Sequence, residues 1–392
     1  MKITILHDNQ SKTTYYTQEL CDDSPKGILS YIPSSTKEQN AIDILRAYLC
    51  DAKPILYDKE NLSLAKSIEA LDGKIFEDID FSAMFFTSGS TGFPTGAFKS
   101  KENIQTDMDA LIKIFGSFKA STFVSTVPFI HIYGFLVGLL LPLKLDANLI
   151  FKEHFLPHDL LAFSQPKTIV VTTPLYIKAL LQLGESKDLS KTIFISSTGP
   201  LSAQIAKEFT DTFHTTLIQI FGSTETGSIA YKKQDDLFWT PFDGVEVTLN
   251  DEGLLHVSSP FISKILWNNG FTHTNGAIQT FDYATLQDGK FQLIGRSQNI
   301  LKVAGKRYAT AQIEEILEKI EGVKKALVQV KHTDKALKDE SVLIFLESDK
   351  LITLKEVKAV IKTAIGKLNF PIELKVVDKI PTTLVGKKIM PL

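Results

Sequence analysis

Between Thr122 and Phe221, short β-rich runs alternate with helical patterns, and this alternation constrains the fold of the 392-residue chain more than any other feature. Thr122–Val127, Ala147–Phe151, Thr168–Thr172, Thr192–Ser196 and Thr216–Phe221 are compact and rich in Val, Ile, Phe or Thr. Pro174–Leu183 and Ser202–Phe213 carry apolar residues at helical spacing. Parallel neighbours need a long crossover, usually a helix, so the pattern predicts βαβ units and a largely parallel sheet. From Phe238 to Phe291 the pattern shifts to short strands broken by Gly and Asp, as in Val245–Leu249, Asp251-Glu252-Gly253 and Leu254–Ser258. That is an antiparallel β section.

After Arg296 the pattern changes again. Thr310–Ile320 reads as a helix ended by Gly322, and Ala326–Lys331 and Val342–Leu346 read as strands. Thr353 and Glu356 form a capping box that opens a helix to about Leu368, with a strand at Ile372–Val377. Residues 297–392 carry 18 Lys+Arg and 12 Asp+Glu, a net of +6, against −8 for residues 1–296. The expected fold class is α/β. A large N-terminal domain, 1–296, has largely parallel sheets plus a β section, and a small basic α+β domain, 297–392, follows it.

Overall charge and cysteine content exclude several classes. The net charge of −2 leaves no nucleic-acid footprint, and the basic C-terminal part lacks interleaved aromatics for base stacking. The longest apolar run, Ile132 to Leu143, falls short of the roughly 20 residues a membrane span needs, and it reads as a buried core segment. Cys21 and Cys50, the only cysteines, form neither a CxxC pair nor a zinc-ligand spacing. A cytoplasmic protein in a reducing compartment is expected.

Four segments can carry chemistry. Thr87-Ser88-Gly89-Ser90-Thr91-Gly92 opens a hydroxyl- and glycine-rich loop whose N–H groups and hydroxyls suit phosphate oxygens, although it is neither a Walker A loop nor GxGxxG. Phe221-Gly222-Ser223-Thr224-Glu225 follows an apolar strand. A ring, a glycine, a hydroxyl and a carboxylate there suit stacking a base, approaching a phosphate and holding Mg²⁺. Asp282 and Arg296 suit a sugar diol, one accepting and the other donating. The ending Pro381–Lys388 offers Lys387 as a point charge for an anion, against the plainer reading of a solvated tail.

In order along residues 81–392, these segments resemble the adenylate-forming enzymes, which include acyl- and aryl-CoA synthetases and the adenylation domains that load carrier proteins. Thr87–Gly96 is similar to the family's T-S-G-S/T-T-G-x-P-K-G, Phe221–Glu225 to Y-G-x-T-E, and Thr280-Phe281-Asp282 to T-G-D. Gly295-Arg296, Leu301–Gly305 and Pro381–Lys387 match the later motifs, and Pro128–Gly134 and Gly199-Pro200-Leu201 two further ones. The resemblance implies ATP-dependent activation of a carboxylic acid as its adenylate, then thioester formation with CoA or a carrier protein's phosphopantetheine. It implies that Thr87, Ser88, Ser90 and Thr91, with the loop amides, hold the β- and γ-phosphates. Thr224 would contact the α-phosphate, Glu225 would bind Mg²⁺, and Phe221 would stack on adenine beside Gly222. Asp282 and Arg296 would take the ribose, Lys387 would bridge the carboxylate and the α-phosphate, and His131 would line the acyl pocket. Gln298 would be the hinge of a mobile C-terminal domain. Against the family the chain is short, with a trimmed region ahead of Thr87.

Three residues depart from the pattern. Thr95 stands where most members have Lys, with Lys99 or Lys101 as nearby substitutes. Phe221 replaces Tyr, and Phe281 replaces Gly beside the ribose Asp. Thr95 and Phe281 motivate the competing reading, a nucleotide-binding relative without turnover. His154 and His158 beside Glu153 lack a third ligand for zinc, and no G-x-S-x-G elbow is present.

Overall fold

A computed structural model describes the chain apart from residues 8–10, 22–25, 72, 88–94, 235, 297–299, 304–305, 333–339, 366–370, 383–387, 389 and 392. It separates into two compact units, one of Met1–Val247 with Val257–Ile278, the other of Thr248–His256 with Gln279–Leu392. In chain order the first elements are β1 (Lys2–Leu6), β2 (Lys12–Tyr16), β3 (Leu29–Pro33), α1 (Lys37–Leu49), β4 (Lys53–Tyr57) and α2 (Leu62–Glu69). Next come β5 (Ala83–Thr87), β6 (Thr95–Lys99), α3 (Lys101–Phe115), β7 (Thr122–Ser125), α4 (Leu141–Lys144) and β8 (Asn148–Lys152). Then follow α5 (Pro157–Phe163), β9 (Thr168–Thr172), α6 (Pro174–Gln182), β10 (Thr192–Ser196), α7 (Ala203–Phe213), β11 (Thr216–Ser223), β12 (Gly227–Lys233) and β13 (Thr240–Pro241).

A nine-stranded sheet in the first unit runs β13-β12-β11-β10-β9-β7-β8-β1-β2. Its middle, from β11 to β1, is parallel throughout, as the alternation of strand and helix patterns predicts. Antiparallel hairpins close both ends, β12 against β11 and β2 against β1. β9 is buried along its whole length, the signature of a strand covered on both faces. On one face Val124, Val170, Phe194 and Leu217 pack with Leu160, Ile177, Phe209 and Phe213 from α5, α6 and α7. Phe194, Phe209 and Phe213 stack in series with ring centroids 5.0 Å apart. Burying each such ring contributes roughly 1.5–3 kcal/mol.

The apolar run that begins at Ile132 forms a π-helix, Gly134–Leu140, continued by α4, and all seven π-helical residues are buried. A second sheet uses β16 (Ile265–Trp267) and β17 (Phe271–His273) in the order β17-β16-β6-β5-β4-β3. In it β5 and β6 pair antiparallel out to Thr87↔Thr95.

The second unit contains a four-stranded sheet, β14-β15-β18-β19, made of β14 (Glu246–Leu249), β15 (Leu254–Ser258), β18 (Ala277–Gln287) and β19 (Lys290–Arg296). This is the expected antiparallel section. Beyond it come β20 (Ile300–Val303), β21 (Lys306–Ala309), α8 (Thr310–Leu317), β22 (Val323–His332), β23 (Glu340–Ser348), α9 (Leu354–Ile365) and β24 (Ile372–Val377). The capping box forms as expected. Thr353 N donates to Glu356 Oε2 at 2.7 Å, and Glu356 N donates to Thr353 Oγ1 at 3.3 Å. Ile313 and Leu317 of α8 and Val357 and Ile361 of α9 pack on Val328 and Ile344.

Candidate functional site

In the first unit, the segments that leave the C-terminal ends of the parallel strands are tied to one another. After β7 the chain runs through Thr126 to His131 and Tyr133. The Thr126 hydroxyl donates to Thr172 Oγ1 at 3.0 Å, at the end of β9. The buried Tyr133 hydroxyl shares its proton between Thr172 O at 3.1 Å and Ile195 O at 2.9 Å, so one side chain links β9 and β10. Ser197 Oγ donates to Ile220 O at 2.8 Å and links β10 to β11. Gly134 lets this edge close, because a Cβ there would lie 1.9 Å from Pro128 O. Ligands of open α/β sheets bind outside this carboxyl edge.

His131 is half-buried, and burial pushes its pKa below the ordinary imidazole value while the carboxylate of Asp58 pulls it up. The side chain is therefore biased toward neutral imidazole, a form suited to a lining position rather than to a fixed cation.

β11 delivers Phe221, Gly222 and Ser223 to the same edge, and Thr224 and Glu225 occupy the turn before β12. Ser223 and Thr226 cross-brace that turn through Ser223 N to Thr226 Oγ1 at 3.0 Å and Thr226 N to Ser223 Oγ at 3.2 Å. Gly222 permits the hairpin to close, since a Cβ would meet Gly227 O at 2.2 Å. The Phe221 ring lies 5.6 Å from that of Trp239, which also carries Lys232 Nζ 4.9 Å from its centroid. No described residue donates a hydrogen bond to the half-buried Glu225 carboxylate. Mg²⁺ is commonly held by one or two carboxylates together with substrate phosphates, and Glu225 fits that donor set.

Beneath the turn lies a group that sequence reasoning placed elsewhere. Lys99, expected as a substitute cation near the phosphate loop, is only 2% exposed. Its Nζ donates to Glu225 O at 2.9 Å and to Phe261 O at 2.7 Å. Lys101 is engaged as well, pairing with Asp51 at 2.7 Å. The reason is local: Lys99 ends β6 on a buried position, and Ser100 caps α3 immediately after it. Asp107 of α3 is also buried, and its Oδ2 accepts from Ser228 N at 3.0 Å. Burial pushes the Lys99 ammonium down to about 8 and the Asp107 carboxyl up. No local sequence signal locates this pair, because its partners lie far away along the chain.

Of the expected phosphate loop, β5 and β6 supply the two ends. Thr87 closes β5, and the segment with Ser88, Gly89, Ser90, Thr91 and Gly92 lies outside the described residues, as do Lys387 and Gln298.

In the second unit Asp282 and Arg296 are register partners on β18 and β19. Arg296 Nε donates to Asp282 Oδ1 at 3.2 Å, so the two residues named for the diol are bonded to each other. Asp282 is buried, which raises its pKa, and the guanidinium opposes that shift. Neighbouring strand positions face opposite sides, so Phe281 stands exposed on the other face and does not crowd the Asp282 carboxylate. Lys388 is no solvated tail: its Nζ donates to Glu314 Oε2 at 2.9 Å, Glu318 Oε1 at 2.7 Å and Ala326 O at 2.7 Å. The zinc spacing disperses. His158 Nδ1 lies 3.1 Å from Glu185 Oε1, and Glu153 Oε2 accepts from Lys37 N at 2.7 Å. No cluster of three metal-ligating side chains occurs among the described residues.

The family description "AMP-binding enzyme" matches residues 18–258, a span that runs from β3 through β15 and includes the Glu225 turn. The chain belongs to the AMP-binding enzyme family. Among curated family members it is 24% identical over 322 residues to a 2-succinylbenzoate–CoA ligase of Listeria monocytogenes, covering 78% of this chain and 68% of that protein. It is 21% identical over 368 residues to a human mitochondrial malonate–CoA ligase, covering 78% of this chain and 63% of that protein. The chain thus spans about two thirds of these relatives' length. Among solved structures, ATP-bound MatB from Rhodopseudomonas palustris superposes with a TM-score of 0.76 at 18% identity, covering 92% and 87% of the two chains. The o-succinylbenzoate-CoA synthetase of Bacillus subtilis with its acyl-adenylate intermediate gives 0.76 at 16%, covering 93% and 87%. These likenesses show the fold of the family. Among the described residues no helix is long and apolar enough to cross a membrane.

Proposed function

We propose that the protein is an ATP-dependent acid–thiol ligase that forms an acyl-adenylate and passes the acyl group to CoA or to a carrier protein's phosphopantetheine. The observation that carries this reading is the Glu225 turn. The half-buried Glu225 carboxylate, which accepts no hydrogen bond from any described residue, stands at the carboxyl edge of a parallel sheet, inside a chain of the AMP-binding family. Mg²⁺ bound there would neutralise phosphate charge as the carboxylate attacks the α-phosphorus and pyrophosphate leaves. Thr224 faces the α-phosphate, Phe221 the adenine, and His131 the acyl group. Thr87 to Gly92 wrap the β- and γ-phosphates, Asp282 and Arg296 bind the ribose, and Lys387 bridges the reacting anions during adenylation. The functional division falls at 296–297, with Gln298 as hinge. A cytoplasmic setting accords with this chemistry.

Pyrophosphate exchange with ATP, Mg²⁺ and malonate, benzoate, 4-coumarate, 2-succinylbenzoate, fatty acids or amino acids tests the reading. Exchange with one class supports it and names the substrate. Lys387→Ala is expected to abolish exchange while sparing ATP binding. One observation favours the second reading, a nucleotide binder without turnover: Thr95 leaves the loop without its lysine, and Lys99 and Lys101 are both engaged elsewhere. Calorimetric ATP binding with no exchange for any acid would establish that alternative.

A further inference from the structure

Lys99 is a buried cation that the proposed chemistry does not use, and its surroundings are built with some care. Glu225 O accepts two hydrogen bonds, from Lys99 Nζ at 2.9 Å and from Ser263 N at 2.9 Å. Phe261 O takes Lys99 Nζ at 2.7 Å, and Pro260 O takes Asn103 Nδ2 at 2.6 Å. The junction of β6 with α3 therefore grips both the Glu225 turn and the segment 260–263. On the far side of the turn Asp107 Oδ2 holds Ser228 N. That approach requires Gly227 at φ +72°, where a Cβ would lie 2.5 Å from the carboxylate oxygen.

Burying an ammonium this completely is unfavourable, and an apolar side chain would fill the space at less cost. The charged groups that face it are Asp107 and Glu225. Its donors go to main-chain carbonyls, whose positions decide where the Glu225 side chain stands.

We infer that Lys99 is a positioning residue for the adenylation chemistry: its amine clamps the Glu225 and Phe261 carbonyls and so sets the Glu225 carboxylate where Mg²⁺·ATP is to be bound. This rests on the reading of Glu225 given above. The clamp needs two N–H groups, and a neutral amine still has two, so the function survives loss of the proton near pH 8.

The test is calorimetric titration of ATP into the full chain, once with Mg²⁺ and once with EDTA, for the parent, Glu225→Gln and Lys99→Met. The parent is expected to bind ATP more tightly with Mg²⁺. Glu225→Gln and Lys99→Met should each lose about tenfold of that magnesium-dependent gain, while their affinity in EDTA matches the parent's. A merely structural role for Lys99 would instead weaken binding equally in Mg²⁺ and EDTA, and that result overturns the assignment. An unchanged gain in Lys99→Met alongside a lost gain in Glu225→Gln overturns the clamp and leaves the Glu225 reading standing. An unchanged gain in Glu225→Gln defeats that reading and the clamp with it. If Lys99→Met does not fold because Asp107 has lost its counter-charge, Lys99→Met/Asp107→Asn replaces it in the same comparison. Failure of the double variant to fold makes Lys99 a folding residue and likewise overturns the proposal.

Discussion

Replacing Gly222 by Ala places one methyl group where the main chain of the same hairpin already lies. The added Cβ would stand 2.2 Å from Gly227 O, 3.1 Å from Gly227 C and 3.3 Å from Ser228 Cα. All three are backbone atoms, so no rotamer change relieves the clash. Real Cβ contacts essentially never fall below 3.0 Å, so the two strands must part by about 0.8 Å at this point. The rungs affected are Gly222↔Ser228 and Ser223↔Gly227, the last two of the β11–β12 pair. Overpacking of this kind costs about 1–3 kcal/mol, and a weakened ladder bond adds about 1 kcal/mol, for a total of about 2–4 kcal/mol. The matching control is Gly199→Ala, whose Cβ meets nothing closer than Pro174 Cγ at 3.7 Å and should change stability by less than about 1 kcal/mol. Urea unfolding of both variants reads the difference. ATP titration should show a further loss for Gly222→Ala, because the Glu225 turn is displaced with the strand. If Gly222→Ala unfolds at the same urea concentration as Gly199→Ala and the parent, the account of this hairpin is wrong.

Other perturbations have equally definite signs. Burial raises the Asp282 carboxyl and Arg296 holds it down, so Arg296→Gln raises it further. The variant's stability deficit should fade well below the ordinary carboxylate value of 3.8, where Asp282 is protonated in the folded and the unfolded chain alike, and should grow as pH rises toward 7. Urea midpoints across that range would show it, and a flat deficit would argue against the pairing. Lys37 sits at the start of α1 with Nζ donating to Thr126 O at 2.8 Å, and burial lowers its pKa to about 8. The unfolded chain keeps that proton up to about 10.5, so parent stability relative to Lys37→Met should rise with pH between 8 and 10.5. The expected gain is roughly 3 kcal/mol, measured by urea unfolding along that pH series. Cys21 Sγ and Cys50 Sγ stand 2.9 Å apart. Incubation with oxidised glutathione should yield an intramolecular disulfide, seen in the intact mass as the loss of two hydrogens. A stable mixed disulfide with glutathione on Cys21 would contradict the observed proximity.

The parallel sheet was legible because strand runs such as Thr168–Thr172 are β-branched throughout and are spaced by helices of crossover length. The capping box at Thr353 was legible because both of its partners lie within four residues. What escaped depends on pairs distant in sequence. Cys21 and Cys50 are 29 positions apart, and Lys99 meets a carbonyl 126 positions away. No local pattern distinguishes a lysine at the end of a buried strand from one at the surface, so Lys99 was read as a cation for phosphate. Strand alternation likewise sets Phe281 and Asp282 on opposite faces of β18, which adjacency in the sequence alone does not show. Lys387 and Lys388 look alike in the sequence, yet Glu314 and Glu318 distinguish the second of them from a solvated tail.

The path of the chain between its two compact units bears on how relatives can be recombined. The main chain leaves the first unit after Val247, returns at Val257 and leaves again after Ile278, so three covalent passages join them. Exchanging everything beyond residue 296 with another family member would bisect the second unit. Ala309 would keep its place in the grafted piece, whereas Tyr283, Leu254 and Ile294, which pack with it, would come from the recipient. A graft that starts at Gln279 keeps Tyr283, Ile294 and Ala309 from one parent and leaves only the nine-residue excursion Thr248–His256 to be matched.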